Sequence, residues 1–506
     1  MPPRDNELNF EQIADQTERS LTSRNAHHRP GLDWLAPVVE SNQVTTPSRD
    51  ALLVGPADRY DVGEMLRPHV LTRVLNFSRF RCAGLVGADL TRHGGHSVRT
   101  YGESALEMTG QNLELVHHGG DVLGVNLVDG YRAAIREEEA ERFESLSLLR
   151  QDGELSDFVK RRSGQLDDFA YVLASEGEFY GSRSSFHAVG LSDPDSLSPE
   201  TADRLVSLLR TANFVGVRDE AGADFLESRN VSVTRMPCPL NVLPQVCARQ
   251  LREFRDCAAL EEIRNRFPNG WIAVEVGQVL PGQFQRLTSA LREIAERNHL
   301  GIVFFDATCD KESSMEMRRW VEAFPEWIAA EFGSSQIWAV ASMLLHSRLY
   351  CGTSLDCRII CMSGGVARIN IPTGKASALS YCELWEHDNV PIEFSEDEEW
   401  IVALEEAFSV DLSLLQEHAA WLHRTYFSSL EKFCAATGIY PRLMQEDDKV
   451  TSHQEVAASL HHLHDEWLSD EESLRTFRRL NRKSGRRRSV SGLRVIRRLS
   501  GRKEKA

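Results

Sequence analysis

Short apolar segments alternate with amphipathic helical patterns over most of this chain, and this alternation constrains the fold more than any other feature. It begins at Ala51, after a polar stretch without periodicity. Strands that alternate with helices form a parallel sheet, because two parallel neighbours need a crossover connection. The pattern occurs in two successive series. The sequence therefore predicts an α/β fold with two doubly wound parallel-sheet lobes that face a cleft.

Each series predicts its own strands and helices. The strands of the first series are Ala51–Pro56, Arg81–Gly87, Leu113–Gly120, Ala170–Ser175, Asn213–Asp219 and Val231–Pro237. Its helices are Gly63–Leu75, Tyr131–Leu149, Glu200–Thr211 and Glu220–Ser228. The strands of the second series are Trp271–Gly277, Leu300–Ala307, Arg348–Ser354 and Ala367–Pro372, and its helices are Gln283–Asn298, Glu312–Phe324, Leu355–Ser363 and Glu396–Phe408. Further helices are predicted at Leu412–Thr425, Ser429–Thr437 and Ser452–Ser469.

These elements divide the chain into five predicted regions. Pro239 and Pro244 lie in the connection where the chain crosses from the first series to the second. The regions are a flexible N-terminal arm (1–47), a first lobe (48–240), a second lobe (241–410), C-terminal helices (411–473) and a basic tail (474–506).

The tail differs electrostatically from the rest of the chain. From Arg475 to Ala506 there are fourteen Lys or Arg residues and one acidic residue, which gives this segment a charge of +13. The net charge of the whole chain is −17, so the rest of the chain is strongly acidic. Apolar residues recur every three positions from Val490 to Leu499, as in a short amphipathic helix. A solvated tail and contact with an anionic membrane surface both fit this pattern. No nucleic-acid partner is expected, because no aromatic residue for base stacking follows Phe477.

The remaining composition indicates a cytoplasmic protein, with peripheral membrane contact through the tail as an option. No run of 18 apolar residues and no N-terminal apolar signal segment is present. The ten cysteines form no CxxC pair and have no zinc-ligand spacing. We therefore expect reduced, mostly buried thiols and no metal site.

Four segments, each at the end of a predicted strand, contain the candidate site residues. The loop VGPADRYDVGEMLRP contains Asp61, Gly63 and Glu64, and LVHHGGDVLG contains His118, Gly119 and Gly120. NFVGVRDEAG places Arg218 at a strand end, where a guanidinium can bind a phosphate or carboxylate. The segment RLYCGTSLDCR, with the later TGK, contains Ser354, Asp356, Arg358 and Lys375.

In this order, the four segments resemble the polysaccharide pyruvyl transferase family over about residues 50–400. The resemblance implies two Rossmann-like lobes in a glycosyltransferase-B-like arrangement. It also implies transfer of a pyruvyl group from phosphoenolpyruvate to a sugar of an exopolysaccharide or cell-wall glycan. A lipid-linked sugar is one option for this acceptor. Phosphoenolpyruvate is then a donor substrate, and no cofactor is expected.

The resemblance assigns catalytic roles to Asp356 and Arg218 and substrate binding to the other candidate residues. Several positions depart from the family pattern: His117 and His118 stand where the family has smaller residues, Ser354 where many members have arginine, and Ala367 where the family has proline. Asp356 stands where the family has histidine, and Cys238 stands where it has the aspartate of a Pro-Asp pair. An aspartate brings negative charge toward an anionic donor unless Arg348, Arg358 or Lys375 compensates or its pKa is raised.

Other interpretations of the same residues stay open. Arg218 and Asp219 also fit a structural pair that caps a helix, and Gly119–Gly120 also fits a turn without a ligand. Two alternative functions remain as well. One is a glycosyltransferase with a nucleotide-sugar donor, and the other is a catalytically silent protein that binds a glycan or a partner enzyme.

Overall fold

The structure is a computed structural model that describes residues 49–442, except for 109–111, 148–151, 276, 278–281, 309–310, 374–376 and 396–398. The predictions for the N-terminal arm, the helix Ser452–Ser469, the basic tail and Lys375 lie outside the described residues.

The first lobe is built on an eight-stranded sheet with the order β3-β4-β2-β1-β5-β6-β7-β8. Every pair in this sheet is parallel except β3 with β4. Without the short β3, the strands follow the doubly wound order, in which the direction of winding reverses between β1 and β5. The strands are β1 Asp50–Val54, β2 Phe80–Gly84, β3 Ala88–Asp89, β4 Ser97–Thr100, β5 Leu113–His118, β6 Arg183–Val189, β7 Phe214–Val217 and β8 Thr234–Arg235.

The second lobe is built on a five-stranded parallel sheet with the order β11-β10-β9-β12-β13. Its winding reverses between β9 and β12. The strands are β9 Trp271–Glu275, β10 Gly301–Phe305, β11 Ala329–Glu331, β12 Leu349–Gly352 and β13 Ala367–Asn370. The predicted fold class of two wound parallel sheets is therefore confirmed.

Helices cover both sheets, which buries the strands on both faces. The helices of the first lobe are α1 Val62–Val74, α2 Tyr101–Glu107, α3 Leu127–Ala134, α4 Glu137–Ser147, α5 Asp152–Ser163, α6 Pro199–Arg210 and α7 Glu220–Ser228. The connection and the second lobe contain α8 Leu243–Val246, α9 Ala248–Arg255, α10 Ala258–Arg266, α11 Gln283–Asn298, α12 Lys311–Glu322, α13 Ile337–Leu345, α14 Leu355–Ser363, α15 Ser377–Trp385 and α16 Trp400–Ser409. The last described helix is α17 Leu412–Thr437.

One hydrophobic core spans both lobes. It contains Leu66 of α1, Trp338 of α13, Ile359 of α14 and Tyr426 of α17, together with residues of the connection. The helix α17 returns to the first lobe, because Arg442 beyond its end donates its backbone N–H to the carbonyl oxygen of Val74. This shared core brings the ends of α1 and α14 together.

Three local predictions were wrong. The predicted strand Ala170–Ser175 is irregular, because its polar groups are satisfied by side chains: Gln165 donates to the carbonyl oxygen of Val172, and Leu173 N–H donates to Nε2 of His117. The strand next to β5 is instead β6, whose polar sequence RSSFHAV concealed it. The predicted helix Tyr131–Leu149 is divided into α3 and α4, and α17 is one helix rather than two.

Candidate functional site

The two points where winding reverses face each other across the seam between the lobes. In doubly wound sheets, ligands bind beyond the carboxyl ends of strands at these points. In the first lobe, the loop after β1 leads into α1, and β5 ends in the turn Gly119–Gly120. In the second lobe, β12 leads through Thr353 and Ser354 into α14. Most predicted site residues therefore lie along one seam.

The first turn of α1 contacts the second lobe directly. Asp61 is the N-cap of α1 and accepts a hydrogen bond from Glu64 N–H at 2.9 Å. The next residue, Val62, donates its N–H to the carbonyl oxygen of Ala307 in the second lobe at 3.0 Å. Gly63 packs on the carboxylate of Asp356, and a Cβ at this position would overlap that carboxylate. Glycine is therefore needed for the close approach of the two helices.

Two buried arginines of the first lobe meet the carboxylate of Asp356. Arg67 in α1 is fully buried and pairs with Asp356, and it also pairs with Glu64 at 2.5 Å. Arg218, which follows β7, places its Nη1 3.5 Å from Asp356 Oδ1. The side chain of Asp356 is 14% exposed. The site is thus a pair of guanidiniums from one lobe and a carboxylate from the other.

These contacts give Asp356 the role of a counter-ion to the arginines. A carboxylate that occupies guanidinium donors competes with any anionic ligand for the same hydrogen bonds. The predicted acid or base role of Asp356 stays a prediction. Arg218 and Asp219 do not form the structural pair that was the alternative interpretation. Asp219 alone caps α7, by accepting from Gly222 N–H at 2.7 Å, and Arg218 extends to Asp356.

The Gly119–Gly120 turn lies against the same groups. Gly120 N–H donates to Glu64 Oε1 at 3.0 Å. A Cβ on Gly120 would lie 3.1 Å from Nη2 of Arg218. Gly119 has a φ of +136°, which favours glycine. The turn thus holds Glu64 and leaves room for Arg218, and it presents no side chain of its own.

The thiol of Cys238 lies beside both arginines; although burial alone would lower the pKa of Arg67 and of Arg218, Asp356 is the main group that raises both. Position 238 is where the resemblance implies a family aspartate. Burial raises the pKa of the Cys238 thiol, and Asp356 raises it further. In this chain, the carboxylate that meets both guanidiniums is Asp356 of the second lobe.

The carboxyl of Asp61 lies among other charged groups at the start of α1. Burial raises the pKa of its carboxyl to about 7, and the negative charges of Asp356 and Glu64 contribute to the increase. The neighbouring Arg59 forms no ion pair within 4 Å in the described part of the chain. Although burial alone would lower the pKa of Arg59, the groups of Tyr171, Asp61 and other neighbours raise it. Arg59 is thus a partly exposed cation at the edge of the site.

The loop that precedes α14 is fixed by a buried carboxylate. Glu275, at the end of β9, accepts hydrogen bonds from Thr353 N–H at 2.7 Å, Thr353 Oγ1 at 2.9 Å and Ser354 N–H at 2.9 Å. Ser354 caps α14 by accepting from Cys357 N–H at 3.3 Å. Ser354 therefore positions the helix that bears Asp356, and its hydroxyl is engaged in that cap.

Two predicted substrate-binding side chains are closed to a substrate. His118 is fully buried, and its ring lies against Gly55, so its predicted contact with a substrate stays a prediction that the structure does not support. Arg358 is also fully buried, and it bonds Glu386, Asn370 and the carbonyl oxygens of Pro391 and Ile392. Its donors are occupied within the second lobe and do not reach the seam, so its predicted substrate-binding role stays a prediction.

Arg59, Arg67 and Glu275 were missed by the sequence reasoning. A signal for Arg67 was present, since it lies three residues after Glu64 in a helix that is otherwise largely apolar. An arginine on such a face needs a buried partner. Glu275 had no comparable signal, because its partners are backbone groups of a distant loop.

Within the described residues, no cluster of three or more His, Cys, Asp or Glu side chains is arranged to hold a metal ion. The same part of the chain contains no helix that is both long enough and apolar enough to cross a membrane.

Comparisons with known proteins agree with the sequence resemblance. The family described as polysaccharide pyruvyl transferase matches residues 86–373. No curated protein is a significant match to the chain. Among solved structures, α,α-trehalose 6-phosphate synthase from Burkholderia multivorans is similar with a TM-score of 0.44 and 14% identity, over 77% of this chain and 98% of that one. UDP-N-acetylglucosamine 2-epimerase from Rickettsia bellii is similar with a TM-score of 0.42 and 7% identity, over 77% and 99%.

Proposed function

Because the chain belongs to the polysaccharide pyruvyl transferase family, we propose that it transfers the pyruvyl group of phosphoenolpyruvate to hydroxyls of a sugar. The product is a cyclic ketal, and phosphate is released. The acceptor is proposed to be a sugar unit of an exopolysaccharide or cell-wall glycan.

The observation that carries this proposal is the pair of buried guanidiniums at the seam. Phosphoenolpyruvate has a phosphate and a carboxylate, and arginine binds both groups through paired N–H donors. Arg67 and Arg218 meet at one point, and Arg59 lies at its edge. Arg67 and Arg218 are nearly closed to solvent, so an anion held by them would be screened little by water.

The charges around Arg67 and Arg218 determine how an anionic ligand can bind. Arg67 and Arg218 face the carboxylates of Glu64 and Asp356, so these two positive charges are balanced before a ligand binds. The donor must replace Asp356 on at least one guanidinium, since that carboxylate occupies the position between them. Separation of the lobes at Gly63 would release Asp356 from the arginines.

The protonated carboxyl of Asp61 supports a role as the acid. In the proposed reaction, it gives its proton to the methylene carbon of the donor while a sugar hydroxyl adds to the neighbouring carbon. The proton of that hydroxyl restores Asp61. A second hydroxyl then displaces phosphate, which leaves with the second proton. A carboxyl with a pKa near the working pH suits both steps.

A ligand-stability experiment tests the proposal. Phosphoenolpyruvate should raise the thermal unfolding temperature of the protein, because it binds the native state. In Arg218→Lys the shift should fall strongly, since a lysine cannot make the paired contact. The matched control is Arg235→Lys on the neighbouring strand β8, where the arginine pairs with three surface carboxylates. It should keep the full shift.

Other outcomes would favour the alternatives. Protection by a nucleoside diphosphate in place of phosphoenolpyruvate would support a nucleotide-sugar glycosyltransferase. Binding of a glycan without response to either donor would support a silent binding protein. Equal protection of the Arg218→Lys variant and the wild type would remove Arg218 from the donor site.

A further inference from the structure

The helix α15 belongs to the second lobe by sequence but contacts the first lobe at the candidate site. It packs against α7, and Ser380 accepts a hydrogen bond from Ala221 N–H at 3.2 Å. Ala221 lies three residues after Arg218. The second lobe therefore contacts the segment that carries one of the two site arginines.

Two aromatic residues of α15 contact Arg218 itself. The indole Nε1–H of Trp385 donates to the backbone carbonyl oxygen of Arg218 at 2.6 Å. The ring of Tyr381 lies 5.8 Å from the guanidinium carbon of Arg218. The hydroxyl of Tyr381 accepts from Asn241 Nδ2 at 2.7 Å. Both aromatic side chains are buried, so they hold the backbone and the side chain of Arg218 from one side.

The residue after α15 anchors the helix inside the second lobe. Glu386 is buried and accepts from Arg358 Nη2 at 2.7 Å and from Arg368 Nη2 at 2.6 Å. Although burial alone would raise it, the pKa of Glu386 is held well below its usual range by these two guanidiniums. His418 of α17 is within hydrogen-bond distance of the carbonyl oxygen of Trp385, at 2.8 Å. The end of α15 is thus fixed by three other elements.

We propose that Trp385 is a positioning residue for the anion site. Through this residue of α15, the second lobe holds Arg218 of the first lobe in its correct place. This role rests on the proposed donor site. A buried carbonyl oxygen that loses its donor is destabilised, and the backbone adjusts to find another partner. Arg218 keeps its orientation toward Asp356 only while Trp385 satisfies its carbonyl.

The test compares two substitutions that make the same chemical change. Trp385→Phe removes an indole N–H that donates to Arg218, and Trp320→Phe removes one that has no hydrogen-bond partner among the described residues. Trp320 is equally buried and lies in the separate core of the second lobe. Hydrogen exchange of residues 217–223 and the dissociation constant for phosphoenolpyruvate are measured for both.

In Trp385→Phe, we expect faster exchange in 217–223 and about fivefold weaker donor binding, as for the loss of one buried hydrogen bond. The KM for the donor should rise while the KM for the acceptor does not, a division that a general loss of stability would not produce. Trp320→Phe should match the wild type in all three measurements. If the two variants behave alike, the positioning role is refuted.

Failure of the donor proposal would look different. If the wild type does not bind phosphoenolpyruvate, the proposed function fails. Exchange in 217–223 still decides whether Trp385 fixes the Arg218 segment, because that measurement needs no ligand.

Discussion

The pH dependence of stability provides a direct test of the protonated carboxyl at the seam. The pKa of Asp61 is about 7 in the folded protein, compared with an ordinary value of 3.8. Between these values the folded protein keeps a proton that the unfolded chain has lost. The free energy of unfolding therefore falls as the pH rises from about 4 to 7, and the loss is complete above pH 7. Asp61→Asn removes the ionisation and should remove this loss.

The size of the effect follows from the difference in pKa. A difference of about 3 pH units at 1.36 kcal/mol per unit gives an upper limit of about 4 kcal/mol. The side chain of Asp61 is only partly buried, so solvent screening reduces this value. We expect Asp61→Asn to be more stable than the wild type by about 1–2 kcal/mol at pH 8, with little difference at pH 4. Asparagine can still accept the capping hydrogen bond from Glu64.

The assay is the difference in thermal unfolding temperature between variant and wild type at pH 4, 6 and 8. Asp411→Asn is the matched control, because Asp411 is also an N-cap aspartate but is fully exposed and far from the site. Its pKa is lowered by hydrogen bonds from Ser413. The control should therefore be less stable than the wild type by a nearly constant amount at pH 4, 6 and 8, because the stabilisation by a lowered pKa is lost only below about pH 4. A difference for Asp61→Asn that does not grow with pH would refute the assignment of a raised pKa to this carboxyl.

Two further predictions concern the other carboxylates. In Asp356→Asn, phosphoenolpyruvate or inorganic phosphate should bind at least fivefold more tightly by calorimetry, because the competing charge is removed from two guanidiniums; weaker binding would show that Asp356 organises the arginines. Glu386→Gln should destabilise the protein by about 3–5 kcal/mol in chemical unfolding, since two buried arginines lose their carboxylate. A loss below about 1 kcal/mol would contradict the anchoring role of Glu386.

Local sequence signals indicated the strand ends at which the candidate site residues lie. Gly63 and the Gly119–Gly120 turn follow apolar strands, and a strand end is where a wound sheet binds ligands. Arg218 was recognised for the same reason. The placement of these residues at the seam was predictable because a strand, its terminal turn and the following helix are contiguous in sequence. The side chains that pair with them come from distant segments, and no local pattern identifies such partners.

His118 and Arg358 show the limit of such reasoning. Both lie within a few residues of residues at the seam. The side chain of His118 nevertheless points into the core, and that of Arg358 binds Glu386 within the second lobe. Neighbouring residues of a strand point to opposite faces of the sheet, and residues two apart in a helix point to nearly opposite sides. Proximity in sequence to a site residue therefore did not determine whether a side chain reaches the site.

By itself, the sequence determined the two wound sheets, the family and the strand ends at which a ligand can bind, because periodicity and turn chemistry are local properties of the chain. Only the tertiary structure decided which charges meet there. The pairing of Arg67 and Arg218 with Asp356, the raised pKa of Asp61 and the support from Trp385 depend on how one lobe lies against the other. Burial and contact between distant segments set these interactions, and both arise only when the chain has folded.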